Sequence, residues 1–205
     1  MKNLIFDVGG VLIGYRWKEM FMVDFGLSDR EAEELGSRIF DDPIWPDFDR
    51  GFVTIYALVE HYCGLYPDAA YYIKRLFYEN DKMATEREAL WKKMAELKAK
   101  GYKIYILSNY SEYLFKKHTG HMPFREYLDG GIVSYEVGAI KPETVIYKKL
   151  LDRYALDPAT CIFFDDIGKN VEAARRLGIE SHLVTSEEDL IDMLDQLETD
   201  TVSVN

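Results

Sequence analysis

The stretch Leu4-Ile5-Phe6-Asp7-Val8-Gly9-Gly10-Val11-Leu12-Ile13 decides how this chain is read. Leu4 to Phe6 run straight into an aspartate, and two glycines follow after one more residue. A short apolar run of this kind reads as a strand, with Asp7 closing it. Gly9 and Gly10 let the backbone turn tightly and let a carbonyl approach an ion. Asp7 interrupts the apolar run, and Gly9, Gly10 and Gly14 break its helical character. It is therefore expected to be a strand and turn of the mature protein rather than a signal peptide.

Strand-like and helix-like patterns alternate onward from this point, the signature of an α/β layer architecture. A second strand is expected at Tyr102 to Leu107, after a helix from about Glu86 to Lys100. That helix shows Leu90, Met94 and Leu97 on one face, Thr85-x-x-Glu88 as a capping box and Gly101 as a stop. Gly131 to Ser134 suit a short strand, and Pro142 suits the first position of a helix reaching Tyr154. Cys161 to Phe164 are continuously apolar, as a strand buried on both faces requires. A helix near Asn170 to Leu177, a strand at Ser181 to Val184 and a helix capped by Ser186 complete the pattern, with the tail after Thr199 expected to fray.

The first two strands end at Asp7 and Leu107, far beyond the roughly 30 residues of a βαβ unit. The surplus is patterned, not loop-like. Ser28-x-x-Glu31 is a capping box, and Ile55, Leu58, Val59 and Tyr62 recur at helical spacing, as do Ala69, Ile73, Leu76 and Phe77. Residues 15–84 are expected to form a helical insertion over the strand end that carries Asp7.

Four local features carry chemistry. Asp7 at a strand end can act as a nucleophile on phosphorus, since ligands of open parallel sheets bind beyond the carboxyl ends of the strands. Taken alone, it reads more readily as a turn cap. Ser108 and Asn109 offer a hydroxyl and a backbone N–H to a phosphoryl oxygen, though the pair also suits an ordinary turn. Lys141, just before Pro142, can neutralise a phosphate and the attacking carboxylate. Asp165 and Asp166, directly after Ile162-Phe163-Phe164, repel one another without a cation and suit magnesium, which prefers oxygen ligands; a helix N-cap pair is the rival reading.

The ordered set Phe6-Asp7-x-Gly9-Gly10-Val11, Leu107-Ser108-Asn109, Gly138-x-x-Lys141-Pro142-Glu143 and Phe164-Asp165-Asp166-Ile167-Gly168-x-Asn170 resembles the haloacid dehalogenase-like hydrolases. The resemblance implies a Rossmann-like parallel-sheet core over residues 1–14 and 85–205 and a helical cap of the first type over 15–84. It implies an aspartyl-phosphate mechanism with Mg2+: Asp7 as nucleophile and metal ligand, the Gly9 carbonyl as metal ligand, Asp166 as the main ligand of the last motif and Asp165 supporting it. Ser108 and the Asn109 backbone would hold the phosphoryl group, and Lys141 would neutralise charge. One residue departs from the commonest pattern. Gly9 stands where many phosphatases of this superfamily have an aspartate that serves as acid and base. A subgroup resembling sugar-phosphate phosphatases also has glycine there, and a good leaving group such as an anomeric phosphate needs less proton help. The expected substrate is therefore a small phosphorylated metabolite, a sugar phosphate in the sharper form. Metal-free dehalogenation of 2-haloacids and non-catalytic phosphate binding are the rival functions.

Bulk composition agrees. A net charge of −11 over 205 residues disfavours nucleic acid and anionic membrane surfaces as partners. No segment reaches the roughly 20 apolar residues of a membrane span. Cys63 and Cys161 sit in apolar runs and are expected to be buried free thiols in a reducing, cytoplasmic setting. The chain is expected to act as a monomer or weak homo-oligomer. His118-x-x-His121 lacks further ligands nearby and is read as structural. Arg16-Trp17, Trp45 and Arg50-Gly51 lie in the insertion, where packing is the commoner role.

Overall fold

Leu4, Ile5 and Phe6 form the central strand of the sheet because both of its faces are covered. Leu4 and Phe6 point into one hydrophobic cluster and Ile5 into another, the period of two that a strand imposes. The computed structural model describes residues 2–202. In chain order the strands are β1 (Asn3–Phe6), β2 (Gly14–Tyr15), β3 (Ala84–Thr85), β4 (Lys103–Ser108), β5 (Gly130–Val133), β6 (Cys161–Asp165) and β7 (Glu180–Leu183). Five of them make a parallel sheet in the order β5-β4-β1-β6-β7. The fold is the expected α/β parallel sheet with flanking helices.

Register decides which residues meet at the carboxyl edge. Phe6 pairs with Ile106 on one side and Phe164 on the other. The next residue on each strand is then Asp7, Leu107 or Asp165, and the Asp7 N–H donates to the Phe164 carbonyl at 2.9 Å. Phe6 and Phe164 stack with ring centroids 5.1 Å apart, which fixes that register on one face. On the other face, the helices Thr144–Tyr154 and Gly168–Arg175 bury Ile146, Tyr147, Leu150, Ala173 and Ala174 against Ile5, Leu107 and Phe163.

Most of the helices between β2 and β3 are those the periodicity predicts. Asp29–Phe40 begins with a complete capping box: Ser28 accepts from the Glu31 N–H, and the Glu31 carboxylate accepts from the Ser28 N–H. Trp45–Asp49, Ile55–Leu65 and Ala70–Tyr78 follow. The fully buried Tyr62 ties two of these helices together, its hydroxyl donating to the Ile39 carbonyl at 2.7 Å. Tyr62→Phe would strand that carbonyl, so thermal or denaturant unfolding should show a loss of about 1–3 kcal/mol. β2 and β3 pair antiparallel, so the two passages of chain into and out of this helical segment run side by side.

Three expectations need correction. Thr85 does not cap a helix, because it is committed to the β3 pairing with Gly14. The helix starts at Glu88 with no side-chain cap, and Arg87 instead donates to the Val11 carbonyl at 2.7 Å. Pro142 is not the first residue of a helix. It lies inside a turn closed by the Glu143 N–H on the Ile140 carbonyl at 2.8 Å, and the helix begins at Thr144. Cys161 is buried, but Cys63 is only half-buried; both are free. The final helix extends to Val202, past Thr199, the expected start of fraying, and the rest of that tail lies outside the described residues. No helix among the described residues is long and apolar enough to cross a membrane.

Candidate active site

Because the strand ends are aligned, four of the sequence-predicted residues converge on one buried cluster. Asp7 is held from three sides. Its Oδ1 accepts from the Ser108 hydroxyl at 2.7 Å and from the Val8 N–H at 2.6 Å, and its Oδ2 faces the Lys141 ammonium at 2.7 Å. The same ammonium donates to Asp165 Oδ2 at 2.6 Å. Lys141 is only 2% exposed, so it is a buried charge between two carboxylates and not a solvated surface lysine.

Asn109 positions that lysine. Its amide donates to the Lys141 carbonyl at 2.9 Å and accepts from the Lys141 N–H at 2.7 Å, closing both main-chain groups onto one side chain. This gives the Asn109 side chain a bracing task, where the sequence reading considered only its backbone. The Ser108 hydroxyl likewise orients Asp7 directly.

Asp165 and Asp166 are adjacent in sequence but live differently. Asp165 is fully buried and saturated, accepting from Lys141, from the Ile167 N–H at 2.8 Å and from Asn170 Nδ2 at 3.0 and 3.2 Å. Asp166 is exposed and lies directly against Gly10. Gly10 has φ +77°, a backbone conformation that favours glycine, and a Cβ there would also push the Asp166 carboxylate from its place.

The donor set fits a hard divalent cation. One carboxylate oxygen from each of Asp7, Asp165 and Asp166 lies within 4.8 Å of the others, and a single ammonium sits among them. Burial pushes Asp7 up to about 7; Lys141 pulls it down, and Asp165 and Asp166 push it up again. Asp166, open to solvent on one side, is raised first by loss of solvent where it meets the cluster and then by Asp165. Lys141 stays charged, its burial more than offset by Asp7 and Asp165. Carboxylates whose ionised forms oppose one another this way are stabilised by an added positive ion.

The cluster lines a cavity of about 760 Å³. The helical segment supplies Trp17, Phe40, Trp45 and Asp49 to its walls, and the sheet side supplies Asp7, Gly9, Asn109, Lys141 and Asp166.

The family model of the haloacid dehalogenase-like hydrolases matches residues 1–178. The chain belongs to that family. Among relatives, this hydrolase is 24% identical over 208 residues to acyl-CoA dehydrogenase family member 10 of mouse, covering 96% of itself and 19% of that protein. It thus spans about a fifth of that relative's length. It is 28% identical over 189 residues to the sesquiterpene phosphatase astK of Aspergillus oryzae, covering 90% of itself and 91% of the relative. A solved haloacid dehalogenase family enzyme of Bacteroides thetaiotaomicron, in complex with magnesium and inorganic phosphate, superposes with a TM-score of 0.74. It is 24% identical and covers 91% of this hydrolase and 95% of that chain.

The geometry also places residues whose sequence context suggests packing or gives them no role. Trp17 and Trp45 line the cavity of this hydrolase, whereas Arg16 pairs with Glu19 and Asp24. The phenol of Tyr15 occupies the space a side chain at Gly9 would need. Asn170 braces Asp165 from the following helix. His118 is buried and bonded through Nδ1 to the Tyr110 hydroxyl at 2.8 Å, and burial lowers it to about 4. His121 is exposed beyond the helix end, in keeping with the structural reading of that pair.

Proposed function

We propose that this hydrolase is a magnesium-dependent phosphatase that cleaves a small phosphate monoester through an aspartyl-phosphate on Asp7. The observation that carries this reading is the buried Lys141 ammonium between Asp7 and Asp165 on the cavity floor, with the Asp166 carboxylate open beside it. Asp7 attacks phosphorus, while Lys141 and the Ser108 hydroxyl hold its carboxylate in one orientation. With substrate bound, the Ser108 hydroxyl would turn its one hydrogen from Asp7 to a phosphoryl oxygen, and the Asn109 backbone N–H would donate to another. Asp7, Asp166 and the Gly9 carbonyl would hold the ion, and Asp165, saturated by its own partners, would brace the arrangement. Magnesium bound there supplies positive charge against the phosphoryl oxygens. The magnesium and phosphate in the Bacteroides enzyme and the phosphatase name of the Aspergillus relative support the same chemistry.

Residues 1–14 and 85–205 act as the catalytic core and 15–84 as the cap, a division supported by the β2–β3 pairing of the two connections. The substrate is a sugar phosphate in this reading, since Trp17, Phe40 and Trp45 offer aromatic walls for the apolar face of a sugar ring. A panel of phosphate monoesters, sugar phosphates included, tests it. Phosphate release is expected with magnesium, to fall to background in EDTA, and to return when magnesium is restored. No magnesium-dependent release from any ester would overturn the function; release without preference for sugar phosphates would overturn only the substrate.

A further inference from the structure

Aspartyl-phosphate chemistry needs a proton for the leaving oxygen and then a base for the attacking water. Position 9 cannot provide either. It is glycine, and the Tyr15 phenol already fills the room beside it. That phenol is bonded to the Tyr110 hydroxyl at 2.5 Å, and burial holds it well above its ordinary range, which makes it a poor proton donor.

A different carboxylate faces the same cavity from the cap. Asp49 ends the helix Trp45–Asp49 and is fixed to the core on several sides. Its carbonyl accepts from the Ser134 hydroxyl at 2.5 Å, and its carboxylate accepts from the Ser111 N–H. The next residue, Arg50, pairs with Glu143, and Gly51 packs on Tyr135. These contacts anchor the cap to the core at this point and leave the Asp49 carboxylate no ammonium or guanidinium in a direct ion pair among the described residues. The titratable groups around it are Asp7 and Lys141 from the core, Arg50 beside it, and the hydroxyls of Tyr15, Tyr62 and Tyr110.

We propose that Asp49, carried by the cap, is the acid and base of this site in place of the side chain that Gly9 lacks. This rests on the phosphatase reading above. In the first half-reaction an Asp7 oxygen bonds to phosphorus and the bond from phosphorus to the ester oxygen breaks. That oxygen takes the Asp49 proton and leaves as an alcohol. In the second, water attacks the same phosphorus, Asp49 takes the water proton, and the Asp7 carboxylate departs as inorganic phosphate forms. Burial is the largest influence on the Asp49 carboxyl and raises it above the usual carboxylate range, the direction that favours the protonated form the first step needs.

The test compares 4-nitrophenyl phosphate with phenyl phosphate, esters alike in shape whose leaving groups differ in basicity. With magnesium present, Asp49→Asn is expected to lower kcat/KM about 10²–10⁴-fold for phenyl phosphate and far less for 4-nitrophenyl phosphate, which needs little protonation. The ratio between the two esters does not depend on how much of the variant is folded. An unchanged ratio, whether both esters suffer equally or neither does, overturns the role of Asp49 while leaving the phosphatase reading intact. If the parent protein hydrolyses neither ester, nor any in the panel above, the phosphatase reading fails and this proposal falls with it.

Discussion

Asp7→Asn is expected to abolish phosphate release, a fall on the order of 10⁴–10⁶-fold for loss of a nucleophile. The amide is nearly isosteric, so the donors from Ser108 and Val8 keep their positions around it. What disappears is the electron pair that attacks phosphorus, together with the charge that Lys141 faces. Acid-quenched single turnovers with labelled substrate should trap label on the parent protein and none on the variant. Retention of full activity would mean that another group attacks. Stability should move the other way. The folded protein holds Asp7 at about 7, above the usual carboxylate range, so its ionisation costs stability progressively as pH rises from about 4 to 7. The variant has no such cost, and in EDTA at pH 8 its thermal midpoint should match or exceed that of the parent.

Lys141→Met is expected to destabilise. It removes the buried ammonium that separates Asp7 from Asp165 and leaves two buried carboxylates uncompensated. Breaking a buried pair in this way costs about 3–5 kcal/mol, which for a chain of this size is a fall of roughly 10 °C in thermal midpoint. Magnesium should restore more stability to this variant than it adds to the parent, since the ion then supplies the only positive charge within the cluster. Thermal unfolding of both proteins with magnesium and with EDTA measures that difference; equal gains would show that Lys141 is not the charge balancing these carboxylates. Turnover should fall about 10²–10³-fold even with magnesium present, through loss of fixed charge at the transferring group.

Asp7, Ser108, Lys141, Asp165 and Asp166 were legible because each follows a local rule. Four of them close a strand or immediately follow one, and a parallel sheet gathers its strand ends at one edge whatever the loops do. The lysine was legible from the proline after it, even though the helix starts later than that proline suggests. Asp49 was not legible. Its place at the cavity depends on a bond from Ser134, 85 residues away, and on how the helical segment packs, for which periodicity carries no signal. Asn109 was read for its backbone because a turn asparagine has many local uses, and nothing in the sequence says that its amide will close on Lys141. Thr85 misled for the opposite reason: the capping pattern is purely local, and the pairing with Gly14 that overrides it is not.

The packing of Tyr15 against Gly9 also constrains how this protein can change. Gain of an aspartate at position 9 would introduce a side chain into space the phenol already fills, so the phenol would have to swing aside. Loss of the phenol would break the bond to Tyr110 and widen the cavity beside Gly9. The two positions are therefore coupled in space: what stands at 9 decides where the phenol of Tyr15 can sit. Any acid placed at position 9 would thus have to share its room with a hydroxyl that is already tied to Tyr110.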